Sequence, residues 1–98
     1  MRILLTGKNG QIGWELQHTL RGLGELFAPG RDELDLARPD QIREQLYRIG
    51  PDLVVNAAAY TAVDRAEDEP EAARAANAEG PATLAEMAAQ LGAALVHY

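Results

Sequence analysis

Three glycines recur at a spacing of three near the start of the chain: Gly7, Gly10 and Gly13, in Thr6-Gly7-Lys8-Asn9-Gly10-Gln11-Ile12-Gly13. An apolar run, Ile3-Leu4-Leu5, precedes them, and a helical pattern follows. The chemistry suited to this order is phosphate binding. Glycines let the backbone turn sharply and let a ligand approach it. The helix start then offers unpaired N–H groups and the positive end of its dipole to a pyrophosphate. The spacing is G-x-x-G-x-x-G, and no Lys-Ser/Thr pair follows it, so the loop is not a P-loop. A plain turn that packs a helix on a sheet is the alternative reading of the same glycines.

Two further segments belong at the same edge. An acid at the end of a second strand would bind the ribose 2′-hydroxyl of NAD. Here Gly30 takes that position and Arg31 follows it. A guanidinium suits a 2′-phosphate by charge and by its fork of donors, so the pattern leans towards NADPH. Asp32 and Asp35 lie near the spacing expected for NADH, and that cofactor stays open. Arg31 is otherwise an exposed loop cation. Asn56-Ala57-Ala58-Ala59 leaves a third strand with small side chains that let the backbone pass close to a ligand, and Tyr60 and Thr61 bring polar tips to the rim.

Positioning these residues takes strands alternating with helices. Ile3–Leu5 reads as a buried strand. Ile12, Leu16, Leu20 and Leu23 recur at helical spacing over 11–23, and Gly24 is the expected stop. Leu26–Ala28 reads as a second strand, followed by a polar loop over 31–38 that holds Leu34 and Leu36. Pro39 suits the first turn of a helix with Ile42, Leu46 and Ile49 inward, ended by Gly50-Pro51. Asp52–Asn56 is the third strand. A short helix is expected near 62–67, and a helical stretch after Pro70, with a break near Gly80-Pro81, runs to Leu91 and is capped by Gly92. Ala93–His97 is the fourth strand. This alternation predicts an α/β fold: a Rossmann-type, doubly wound parallel sheet of four strands in the order 3-2-1-4, with flanking helices and right-handed crossovers. Ligands should meet it at the carboxyl ends of the strands.

Composition narrows the function. The 98 residues suit one small domain, 47% hydrophobic and 24% charged. A net charge of −6 argues against nucleic acid as partner, because phosphate contacts need a basic face. The acids spread over 32–40 and 67–79 read as solvated helix faces. Without cysteine there is no disulfide frame and no thiolate chemistry. No apolar stretch is long enough for a membrane span, and no basic-then-apolar leader opens the chain, so a soluble, cytoplasmic protein is expected. His18 and His97 lack metal-ligand spacing; His18 reads as an exposed helix residue and His97 as a strand residue beside the sheet. Trp14 reads as a partly buried helix residue under the sheet.

Together, Gly7 through Gln17, Pro51-Asp52, the run Asn56-Ala57-Ala58-Ala59-Tyr60-Thr61-Ala62-Val63-Asp64-Arg65-Ala66-Glu67 and Val96-His97-Tyr98 resemble the extended short-chain dehydrogenase/reductase family. The resemblance covers the whole chain. It is strongest to the branch that reduces the 4-keto group of dTDP-6-deoxy-L-lyxo-4-hexulose to dTDP-L-rhamnose with NAD(P)H. It implies that Gly10, Gln11 and Ile12 meet the pyrophosphate, Arg31 the adenosine ribose, and Asp35 with Leu36 the adenine. Ala57, Ala59, Tyr60 and Thr61 would line the cofactor at the third strand, and Tyr98 at the fourth. Glu15 matches a glutamate implicated in a magnesium-bridged homodimer, or is a surface helix residue.

The family's catalytic Thr/Ser and Tyr-x-x-x-Lys are not in these residues. Lys8, the only lysine, cannot supply the pair from the glycine loop. By this resemblance, residues 1–98 are an incomplete N-terminal NAD(P)-binding domain without the sugar-binding part, expected to be inactive as a reductase alone and to expose its fourth strand as an edge. A non-catalytic nucleotide-binding regulatory subunit of the same fold, or another nucleotide-sugar reductase, epimerase or dehydratase, are the competing readings.

Overall fold

The computed structural model describes residues 1–58 and 79–98. Their order is β1 (Arg2–Thr6), α1 (Gln11–Arg21), β2 (Glu25–Phe27), α2 (Pro39–Ile49), β3 (Leu53–Asn56), α3 (Gly80–Leu91) and β4 (Ala94–His97). The short helix expected near 62–67, and the part of the last helical stretch before residue 79, lie outside the described residues.

All strand pairs are parallel. The sheet order is β2-β1-β3-β4, which corrects the expected 3-2-1-4. The third strand does not lie outside the second; it crosses back to the far side of β1. Its apolar run explains why. Val54 and Val55 are both buried, as a central parallel strand requires, whereas the three-residue β2 is only half covered and suits the edge.

Side-chain alternation splits the core across the sheet. Ile3, Leu5 and Val55 face α1 with Leu20. Leu4 and Val54 point the other way, into a larger cluster with Ile42, Leu46 and Ile49 of α2 and Leu84 and Met87 of α3. Leu34 and Leu36 join that cluster, so the polar loop is pinned by its two leucines.

The helix ends follow local chemistry. Pro39 opens α2, and Gly50 closes it in the left-handed conformation at φ +60°; Gly92 does the same for α3 at φ +70°. Gly80-Pro81 is a helix start. α1 ends at Arg21, two residues early, with Gly22 rather than Gly24 as its cap. Leu23 is therefore 58% exposed and outside the inner stripe. Ile12 and Trp14, at 51% and 61% exposure, also face away from the core. Trp14 is not under the sheet: it is exposed on α1, with its ring edge-on to that of His18 at 5.8 Å. His18 is exposed as expected. β4 is an edge strand, also as expected.

Candidate functional site

The carboxyl ends of β1, β2 and β3 open into a cleft of about 570 Å³. Thr6 through Ile12 form one wall. Pro29, Gly30 and Arg31 lead from β2, Leu34, Asp35 and Leu36 close the far side, and Ala57, Ala58 and Tyr98 complete it.

The loop over 7–13 is held tightly by its glycines. Gly7 has φ +84°, where a side chain is strained, and a Cβ there would stand 2.5 Å from the Ala58 amide nitrogen. A Cβ on Gly13 would collide with the Gly7 carbonyl. These two glycines let the loop close against β3 and let α1 start directly beneath it. Gly10 differs, since a Cβ there would meet only the Gly7 oxygen at an ordinary 3.5 Å. Its carbonyl accepts the first helical bond, from Trp14 N–H at 2.8 Å. The amides of Gln11, Ile12 and Gly13 have no carbonyl four residues back in the helix, and Gly10 brings no side chain to cap them. This is a donor set matched to an anion. Gln17 fixes the loop from below, donating to the Lys8 carbonyl at 3.1 Å.

A polar latch ties the strand ends. The buried Thr6 hydroxyl donates to Asn56 Oδ1 at 2.6 Å, and the Ala58 amide donates to the same oxygen at 3.2 Å. Asn56 Nδ2 lies 3.2 Å from His97 Nδ1, and the Tyr98 amide donates to the Asn56 carbonyl at 3.0 Å. One asparagine thus sets β1, β3 and β4 at the mouth of the cleft.

The far wall is a stapled loop. The Leu34 amide donates to the Gly30 carbonyl at 2.9 Å, the Asp35 amide to Gln41 Oε1 at 3.0 Å, and the Ala37 amide to Asp35 Oδ1 at 2.9 Å. Arg31 lies 4.0 Å from Asp35 Oδ2, so cation and acid share one rim.

Of the residues singled out from sequence, Gly7, Gly10, Gln11, Ile12, Arg31, Asp35, Leu36, Ala57 and Tyr98 come together in the cleft. Gly13 is buried behind it as packing. Ala59, Tyr60 and Thr61 lie outside the described residues. Glu15 is exposed on α1, outside the cleft lining, and among the described residues no group of three acids or histidines gathers to hold a metal. Sequence reasoning does not select Thr6, Lys8, Pro29 or Leu34 for the site, whereas Ala58 belongs to the small-residue run expected there. Thr6 and Asn56 carry a signal all the same: both are polar residues ending apolar strands.

Residues 1–98 match the family model described as the RmlD substrate binding domain. The chain belongs to that family. This RmlD-family chain is 48% identical over its full length to dTDP-4-dehydrorhamnose reductase of Burkholderia thailandensis, covering 33% of that protein. It is 48% identical over 87 residues, 88% of the chain, to a probable dTDP-4,6-dihydroxy-2-methyloxan-3-one 4-ketoreductase of Streptomyces antibioticus, covering 30% of it. Among solved structures it resembles dTDP-4-dehydrorhamnose reductase from Bacillus anthracis in complex with NADP, with a TM-score of 0.83 and 34% identity over 96% of the chain and 34% of that protein. The RmlD-family chain spans about a third of the length of the curated relatives it matches. Among its described residues, no helix is long and apolar enough to cross a membrane.

Proposed function

We propose that residues 1–98 are the NAD(P)H-binding Rossmann part of a dTDP-4-dehydrorhamnose reductase, the enzyme that reduces the 4-keto group of dTDP-6-deoxy-L-lyxo-4-hexulose to dTDP-L-rhamnose. The observation that carries this reading is the cleft itself: a glycine loop and an uncapped helix start at the carboxyl ends of parallel strands, in a chain whose relatives bear that name over its whole length.

The fit to a dinucleotide rests on the loop. The Gly7 and Gly13 approaches leave no room for side chains, and the free amides of the first turn point to a pyrophosphate. Gly10, Gln11 and Ile12 would hold it. Arg31 would meet the ribose end, Asp35 and Leu36 the adenine, and Ala57, Ala59, Tyr60, Thr61 and Tyr98 the nicotinamide side. Bound NADPH supplies the hydride; the residues here bind and orient it, and Asn56 fixes the strand ends that they leave from. Proton transfer and sugar binding fall to residues outside this chain. NADPH is favoured over NADH because Gly30 stands where an acid would bind a 2′-hydroxyl. The reading carries with it a cytoplasmic protein that takes a dTDP-sugar in its full-length form. Homodimerisation through Mg²⁺ at Glu15 follows from the family resemblance alone, and would need carboxylates beyond the described cleft.

The similarity to a 4-ketoreductase acting on a different dTDP-sugar favours one second reading: the same reaction on another 4-keto sugar. Calorimetric titration of the chain with NADPH and NADH tests the shared part. Saturable NADPH binding supports it; a chain folded by circular dichroism that binds neither overturns it.

A further inference from the structure

We infer that Lys8, rather than Arg31, is the principal residue selecting NADPH over NADH in this chain, its ammonium being the main partner of the ribose 2′-phosphate. The inference rests on the dinucleotide reading of the cleft.

Three observations carry it. First, Lys8 leaves the glycine loop but its stem reaches across to the end of β2. A Cβ built on Gly30 would stand 3.7 Å from Lys8 Cε. The end of β2 is where the adenosine ribose of a dinucleotide lies in this class of sheet. The lysine therefore serves the ribose end, although its backbone belongs to the pyrophosphate loop. Second, the charge on Arg31 is already partly balanced by the Asp35 carboxylate at 4.0 Å, and that acid lines the same cleft. A dianion arriving there meets a pair, not a bare cation. Among the described residues, no carboxylate oxygen lies within 4.0 Å of the Lys8 ammonium. Third, Gly30 is buried and lacks a side chain, so nothing on it separates Lys8 from a ligand at this spot. The Asp32 carboxylate also faces Gly30, with Oδ1 2.7 Å from the Cβ position. That acid can accept from a free 2′-hydroxyl and repels a 2′-phosphate. Selection of the phosphorylated cofactor at this spot therefore depends on the Lys8 ammonium, to which a 2′-phosphate brings the partner charge that the described residues do not supply.

The test is calorimetry of the chain and of Lys8→Gln, Lys8→Arg and Arg31→Gln, each with NADPH and with NADH, and with circular dichroism to establish that each variant is folded. Removing one charge-assisted hydrogen bond lowers affinity about tenfold. Lys8→Gln is expected to weaken NADPH by about that factor and to leave NADH within about twofold. Lys8→Arg should keep the preference, and Arg31→Gln should reduce it less than Lys8→Gln does. An equal loss for both cofactors in Lys8→Gln would assign the lysine to the pyrophosphate and overturn the inference. So would an unchanged NADPH affinity, or a larger effect at Arg31. A folded wild-type chain that binds neither cofactor would instead remove the dinucleotide reading on which the inference stands.

Discussion

The Thr6 hydroxyl and the Asn56 amide oxygen meet at 2.6 Å, both buried, where β1 and β3 enter the cleft. The same oxygen accepts from the Ala58 amide, so removing the Asn56 side chain strands two donors at once. Asn56→Ala is expected to lower unfolding stability by about 1–3 kcal/mol in urea titration. Thr6→Val removes one donor and keeps the shape, and should cost less. In the double mutant the two losses should fall short of their sum, because they share one bond.

Gly13 and Gly10 should separate under substitution. A methyl group at Gly13 meets the Gly7 backbone, which cannot give way without opening the loop. Gly13→Ala should cost about 1–3 kcal/mol of stability and also weaken dinucleotide binding. Gly10→Ala meets only ordinary contact, and its stability cost should stay below about 1 kcal/mol. Because Gly10 lines the cleft, its larger effect should appear in calorimetric affinity.

Gly80 lies against the far wall. A Cβ there would stand 2.6 Å from the Leu36 carbonyl and 2.8 Å from its Cβ. Gly80→Ala should push the start of α3 off the loop that carries Asp35 and Leu36. We expect a stability loss of about 1–3 kcal/mol by thermal or urea unfolding, together with weaker binding of the adenosine end, read with 2′,5′-ADP as probe.

Leu46 and Leu23 make a contrasting pair. Leu46 is fully buried between α2 and the sheet, and Leu46→Ala should cost about 2–5 kcal/mol. Leu23 lies past the end of α1 and is mostly exposed, so Leu23→Ala should stay within about 0.5 kcal/mol of wild type. Equal losses would mean that the helix continues as its apolar spacing alone suggests.

That contrast shows what is legible in the sequence. Short apolar runs and period-3.6 patterns locate each described strand and helix, and Pro39, Gly50 and Gly92 mark helix boundaries through local backbone chemistry. The glycine loop and Arg31 can be assigned to one cleft because parallel strands bring their carboxyl ends together, whereas Leu36 and Tyr98 join it in the reading only through the family resemblance. Strand order is harder. It depends on which strand buries both faces, and that comparison between Leu53–Asn56 and Glu25–Phe27 is a tertiary property. The helical spacing of Leu23 is real but is ended by Gly22, whose earlier position takes the cap. Lys8 reads as a loop residue because its neighbours in sequence are glycines. Its neighbour in space is Gly30, twenty-two positions away, and only the folded turn brings the two together.

The all-parallel sheet also gives the molecule two ends with separate duties. Opposite the cleft, the Arg2 amide donates to the Asp52 carboxylate at 2.8 Å, its guanidinium to the Ile49 carbonyl at 3.0 Å, and the Glu25 amide to the Met1 carbonyl at 2.9 Å. That end fastens the strands and lies away from the cleft lining. Folding strength can therefore drift, or be engineered, at the end around Arg2 and Asp52 without altering what the cleft holds, whereas around Gly13 and Gly80 the two move together.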